Sequence, residues 1–298
     1  MRVLALVTEA FGGRGGIARF CQDLIEVLSR SKEPSEIFVL PRLVPEKVES
    51  LPHGVTQARP ASSKCVYAFK ALWTFLSRRP INLIFCGHIH LLPLACVLGR
   101  FAKIPVWAHL YGIEAWEKLS RLDLWGVTQC DLITASSRFT RRRFLSHANI
   151  SPEKVRVLPC LVREKFQPGP KPSYLMDRYQ LHGKKILLTL SRISAQDNYK
   201  GHERVLNIMP DICKAVPTAV YVIAGDGSGL PPLQKLAREK RLNGKVIFTG
   251  HVSEEEIVDH YRLADVFVMP STGEGIGIVL LEAAACGIIA VVDKPFDI

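Results

Sequence analysis

The feature that most constrains this chain is an alternation of short apolar runs with amphipathic segments, carried through twice and broken once. Before the break, runs of strand length fall at 2–8 (RVLALVT), 36–40 (EIFVL), 81–87 (INLIFCG), 105–112 (PVWAHLYG), 131–136 (DLITAS) and 155–160 (VRVLPC). Between them lie segments of helical period such as KCVYAFKALWTFLSR and FTRRRFLSHA. The first run leads through a glycine loop into a helix with Ile17, Phe20, Leu24 and Leu28 on one stripe. The break, REKFQPGPKPSY at 163–174, holds three prolines and a glycine and supports no period. After it, strand runs recur at 184–192, 219–225, 245–250, 264–270 and 288–292, with helical segments near 200–214, 230–241, 253–262 and 277–286. Strand and helix in strict alternation imply parallel, doubly wound sheets.

Two Rossmann-like α/β domains are therefore expected: 1–166, a linker at 167–176, and 177–298. With 298 residues, 48% of them hydrophobic, the chain can bury a core in each. Its eight cysteines form no C-x-x-C pair and no spaced Cys/His zinc pattern, so they read as buried thiols of a reducing compartment. The apolar run at the N-terminus spans about five residues, short of a signal segment, and no window approaches the roughly 18 residues of a membrane span. A cytoplasmic protein is the expectation. The net charge of +11 lies in the first half: residues 1–170 carry 24 Lys/Arg against 13 Asp/Glu, and residues 171–298 carry 15 of each. Such a half is a solvated basic surface, or one that attracts an anionic acceptor or the inner face of a membrane, with Arg141 to Arg143 the cluster to inspect. Nucleic acid is not expected, because no recognition motif accompanies the charge.

Ligands of doubly wound sheets bind beyond the carboxyl ends of the strands. In the second half these loops hold Arg192 and Lys200 in SRISAQDNYKGHERV, then GDGSG (225–229), GHVSEEE (250–256) and PSTGEGIGI (270–278). Two cations among glycine turns suit a diphosphate, and the N-terminus of the helix at 277–286 adds amide donors and a favourable dipole. Two carboxylates flank that turn. Glu274 lies in the loop, where it can hold sugar hydroxyls; Glu282 lies inside the helix, where it can accept from a ribose diol. Asp226 in GDGSG reads as a turn former. The pair His88 and His90 lacks a third ligand for a metal, and no D-x-D occurs, so leaving-group stabilisation falls to protein cations.

Taken in order and spacing, SR…K (192 and 200), IAGDGSG (223–229), VIFTGHVSEEEIVDHYRLADVFVMPS (246–271) and GEGIGIVLLEA (273–283) resemble family 4 of the retaining glycosyltransferases, and GGRGGIARF (12–20) agrees with them. The resemblance implies the GT-B fold, two such domains facing across a cleft. It implies transfer of a sugar from a nucleotide-sugar donor to a saccharide or lipid-linked acceptor, with no cofactor and no metal. Arg192 and Lys200 would hold the diphosphate and Glu282 the ribose. Glu274, with the amides of Gly275, Ile276 and Gly277, would hold the donor sugar, and the backbone near Val252 would flank the base. Gly15 and Gly16 would face the diphosphate from the first domain. Relatives carry a histidine at a strand end of the first domain; here His109 and Tyr111 compete for that place, with His88 and His90 behind them.

Two departures follow. Ile276 stands where phenylalanine is more usual. The chain stops at Ile298, just after the fifth strand of the second half, where relatives continue, so the second domain reads as truncated. Two rival functions accompany this reading: a nucleotide-sugar epimerase of the same plan, and a non-catalytic remnant.

Overall fold

The computed structural model describes residues 1–13, 15–30, 36–48, 50–195, 200–273 and 277–293. Contacts divide the chain into two compact units, Met1–Leu161 and Val162–Phe296. In the first, the elements run β1 (Arg2–Val7), α1 (Gly16–Ser29), β2 (Glu36–Pro41), β3 (Val55–Gln57), α2 (Lys64–Ser77), β4 (Leu83–Cys86), α3 (Leu92–Ala102), β5 (Val106–Leu110), α4 (Arg121–Gln129), β6 (Leu132–Ala135), α5 (Arg138–Ala148) and β7 (Val155–Val157). In the second they run α6 (Ser173–Arg178), β8 (Lys185–Leu190), α7 (His202–Ala215), β9 (Ala219–Ala224), α8 (Leu230–Glu239), β10 (Val246–Gly250), α9 (Ile257–Leu263), β11 (Val266–Met269), α10 (Ile278–Ala285) and β12 (Ile289–Val292).

The strands form two parallel sheets, ordered β3-β2-β1-β4-β5-β6-β7 and β10-β9-β8-β11-β12. Parallel strands covered on both faces need apolar residues at nearly every position. Every residue of β9 is accordingly buried: Val220, Val222 and Ala224 enter one core and Tyr221 and Ile223 the other. In the first sheet, Leu4 and Leu6 face a core built with Tyr67, Phe75, Leu92 and Phe144 from α2, α3 and α5. The opposite face receives α1, whose Phe20 stacks on His109; Ala108 and Leu110, the strand neighbours of His109, point into the first core. This split follows from right-handed crossovers, leftward from β1 through α1 and rightward through α2 to α5. Among the described residues no helix is long and apolar enough to cross a membrane.

The proline-rich segment read as a linker is fastened to the second unit. Lys165 pairs with Glu254 at 2.9 Å, Lys171 with Asp265 at 2.8 Å, and the Tyr174 hydroxyl donates to Asp259 at 2.9 Å. Phe166 is buried against the Tyr261 ring.

Candidate functional site

In each sheet the strand order reverses beside the first strand of its unit, and a doubly wound sheet opens its binding crevice at that point. In the second unit the reversal lies between β8 and β11, so the loops to consider are 191–200 and 270–277. The sequence placed Arg192, Lys200, Glu274, Gly275, Ile276 and Gly277 on these two loops. Glu274, Gly275 and Ile276 lie outside the described residues.

Arg192 and Lys200 are brought together: the Lys200 Nζ donates to the Arg192 carbonyl at 3.2 Å. A cavity of about 220 Å³ lies beside Arg192, Ser194, His202 and Gly229. The loop that carries Arg192 is locked in place by the glycines of GDGSG. A Cβ at Gly225 would sit 1.9 Å from the Ser191 carbonyl oxygen, and one at Gly227 would sit 2.2 Å from that of Ile193. Both residues have φ near +140°, a region side chains rarely tolerate. With that approach allowed, the Ile193 amide donates to the Asp226 carbonyl and the Gly229 amide to the Ile193 carbonyl, each at 2.9 Å. The Asp226 carboxylate accepts from the next amide, Gly227, at 2.7 Å, closing its own turn.

Two residues that the sequence reading did not single out complete this loop. Ser191 Oγ lies 3.0 Å from His202 Nε2, and both side chains are buried. Burial, reinforced by the nearby Lys200 charge, pushes the His202 imidazole down to about 4, so it is neutral across the physiological range. Gly201, between Lys200 and α7, has φ +81, and a Cβ there would stand 2.5 Å from the Pro270 carbonyl oxygen. The loop bearing the cations therefore abuts the loop that leads to α10.

Gly277 caps α10 in the left-handed conformation, at φ 60. The first turn of that helix carries backbone N–H groups with no acceptor inside the helix. Glu282 is on α10 and only 2% exposed, and its Oε2 accepts from the Tyr261 hydroxyl at 2.7 Å. Tyr261, on α9, is wholly buried between Phe166 and Phe267, which fixes the direction of its hydroxyl. Tyr261 is a third residue that sequence reasoning passed over; its spacing from Glu282 carries no signal without the fold. Val252 follows β10 and is half-buried at the edge of the core.

In the first unit the reversal lies between β1 and β4. Gly15 caps α1 at φ +86, and a Cβ there would meet nothing within 4 Å among the described residues; Gly16 is the first residue of the helix. His109 is wholly buried: its ring stacks on Phe20 at 3.9 Å, Nδ1 lies 2.9 Å from Thr134 Oγ1, and Nε2 has no hydrogen-bond partner among the described residues. Burial pushes it down to about 3, so the ring is held neutral near neutral pH. Tyr111 is also buried, with its hydroxyl 3.1 Å from Cys21 Sγ. His88, held down to about 4 by burial, accepts from the His90 amide, and His90 reaches Asp123 at 3.1 Å. Arg141 donates to the carbonyls of Val155 and Pro152, and Arg143 lies over the Trp116 ring and donates to its carbonyl. These two arginines thus fasten α5 to its neighbours.

The solved structure of HepE from Anabaena in complex with UDP-glucose has 19% identity and a TM-score of 0.74, covering 98% of this chain and 80% of its own. That likeness, with two parallel doubly wound units, is the GT-B fold. A GDP-mannose-dependent alpha-(1-6)-phosphatidylinositol monomannoside mannosyltransferase of Mycolicibacterium smegmatis is 33% identical over 172 residues, which are 55% of this chain and 44% of the relative. The chain thus spans less than half the length of that relative. A GDP-mannose-dependent monoacylated alpha-(1-6)-phosphatidylinositol monomannoside mannosyltransferase of Corynebacterium glutamicum is 26% identical over 96% of this chain and 79% of its own. The family model of glycosyl transferases group 1 matches residues 176–296, and that of glycosyltransferase family 4 matches residues 14–165, just over half of the chain. The chain belongs to glycosyltransferase family 4.

Proposed function

We propose that the chain transfers a glycosyl group from a nucleotide-sugar donor to a saccharide or lipid-linked acceptor, with retention of anomeric configuration and without a metal ion. The observation that carries this reading is the contact of the Lys200 ammonium with the Arg192 carbonyl, which puts both cationic residues at the sheet reversal of the second unit, against the loop that enters α10. Breaking a glycosyl–diphosphate bond leaves new negative charge on the departing phosphate. Two cations held where that charge develops would lower the barrier, since they need not reorganise as it appears. Arg192 offers a planar fork of donors and Lys200 a point charge, together suited to adjacent phosphates. The amides at the start of α10 add to them.

Glu282, oriented by Tyr261, would accept from the ribose diol. Glu274, with Gly275, Ile276 and Gly277, would position the donor sugar, and Val252 would flank the base. Gly15 and Gly16 open α1 with a backbone bare of side chains, the kind of turn that admits a phosphate. His109 enters as a neutral positioning group. The domain reading follows: residues 1–166 serve the acceptor and 177–298 the donor. Both mannosyltransferases above are named for GDP-mannose and a phosphatidylinositol mannoside, which favours a nucleoside diphosphate sugar and a lipid acceptor held at the inner face of a membrane.

Calorimetric titration with GDP-mannose and UDP-glucose tests the reading. One of them binds the native chain, and Arg192→Ala or Lys200→Ala weakens it about 10- to 100-fold, as loss of a charged hydrogen bond should, with the melting temperature unchanged. Binding that ignores both substitutions would overturn the assignment. Product analysis with a lipid-linked acceptor then separates transfer from epimerisation of the donor.

A further inference from the structure

Helix α2 is apolar on both faces. Tyr67, Ala71 and Phe75, four apart, are buried in the first core. On the opposite side Val66, Phe69, Trp73 and Leu76 are exposed, Phe69 by 67% and Trp73 by 65%. A helix apolar all round ordinarily has partners on both sides, and an aromatic stripe facing water marks a docking surface. The stripe continues onto α3: Phe101 is 74% exposed, and the Arg79 guanidinium sits 5.8 Å over its ring and 5.2 Å over that of Phe75.

The segment that carries the stripe is one-sided in charge. From residue 50 to residue 113, 64 consecutive positions contain no Asp or Glu and seven Lys or Arg, among them Lys64, Lys70, Arg78, Arg79 and Arg100. Among the described residues none of the seven pairs with a carboxylate. Their contacts are with rings and neutral acceptors: Arg78 with Phe38, Lys70 with the Arg59 and Pro60 carbonyls, Arg100 with Gln129. A second copy docked on this face would set like charges against each other.

We infer that the outer face of α2, continued by Phe101 of α3, lies on an anionic lipid surface, with Phe69, Trp73 and Leu76 entering the headgroup boundary and the unpaired cations facing lipid phosphates. This is the geometry of an interfacial helix: aromatic and aliphatic residues below, cations at the rim. It moves the membrane contact away from the Arg141–Arg143 cluster, whose Arg141 and Arg143 are spent on carbonyls and a ring. The proposed function shares with it only the expectation of a membrane-borne acceptor. Vesicle binding is measured without donor, so either idea can fail alone.

The experiment is co-sedimentation of the full chain with vesicles of phosphatidylcholine, alone or with phosphatidylglycerol. The chain pellets with the anionic vesicles only, and added salt releases it. Phe69→Ser with Trp73→Ser lowers the bound fraction about tenfold or more. Arg78→Glu with Arg100→Glu does the same, and all these side chains are exposed enough for circular dichroism to stay native. Trp73→Phe removes the blue shift that lipid imposes on the native fluorescence. Equal binding to neutral vesicles, unchanged binding by the Phe69/Trp73 variant, or a loss seen only on reversing Arg141 and Arg142 would overturn the inference. So would a lipid-free dimer in sedimentation velocity that the Phe69/Trp73 variant abolishes.

Discussion

The two sheets reverse their strand order in the same way, yet the residues gathered at the two reversals differ in kind. In the second unit the loop after β8 carries Arg192 and Lys200 and is interlocked, backbone to backbone, with the glycines at 225–229. In the first unit the neighbourhood of α1 holds rings and a thiol: Phe20, His109, Tyr111 and Cys21, all uncharged and mutually packed. One framework thus supports a loop of cations in one unit and a buried cluster of neutral side chains in the other. Local contacts set the difference, since the parallel sheet dictates where loops gather and leaves open what they present.

The largest effect that separates the two is steric. Gly225→Ala places a methyl 1.9 Å from the Ser191 carbonyl oxygen at φ +138, combining strain with overpacking, and lowers stability by about 3 kcal/mol or more while abolishing donor binding. Gly15→Ala, at φ +86 with nothing within 4 Å among the described residues, carries only the backbone term, about 1–2 kcal/mol. Urea denaturation of the two variants checks the contrast; similar losses would mean that the loops of the second unit give way more readily than their packing indicates.

A middle-sized effect comes from pH. His109 is held near 3 in the folded unit, against an ordinary value of 6.5. The unfolded chain therefore binds the extra proton first. The contribution of the buried neutral ring is complete above 6.5 and is lost as pH falls from 6.5 toward 3. Lowering the pH from 6.5 to about 5 removes roughly 2 kcal/mol from this site. His109→Phe keeps the stack on Phe20 and should flatten that slope in denaturation curves; a slope unchanged in the variant would show that His202 and other groups carry it. The smallest effect belongs to Tyr111→Phe. It removes one hydroxyl contact with the Cys21 thiol and lowers stability by less than about 1 kcal/mol, measured as a small melting shift.

Much of this was legible in the sequence because parallel strands buried on both faces leave apolar runs that few other structures produce. All five runs of the second half became strands, and six of the seven strands of the first sheet coincide with expected runs. The missing one, β3, is the three-residue VTQ between PHG and ARP, too short to show a period. At the site, the residue types were legible and their tasks less so. The GDGSG glycines read as ligand turns, yet at Gly225 and Gly227 the contact that demands glycine is with the Arg192 loop. Three arginines in a row read as a patch, but carbonyls eleven and fourteen residues away claim Arg141, a relation no local pattern encodes. Tyr261 and His202 orient Glu282 and Ser191 through contacts that exist only once the strands are assembled.

The contact of Gly201 with Pro270 carries a consequence for how such a chain can vary. The space for a side chain at 201 is already filled, 2.5 Å away, by the Pro270 carbonyl just after β11. A saturation library at this codon should therefore return glycine alone among functional clones, while neighbouring surface codons on α7 diversify freely. Any recovered variant at 201 should carry a compensating change in the 270 loop, so the two loops drift as one unit of inheritance.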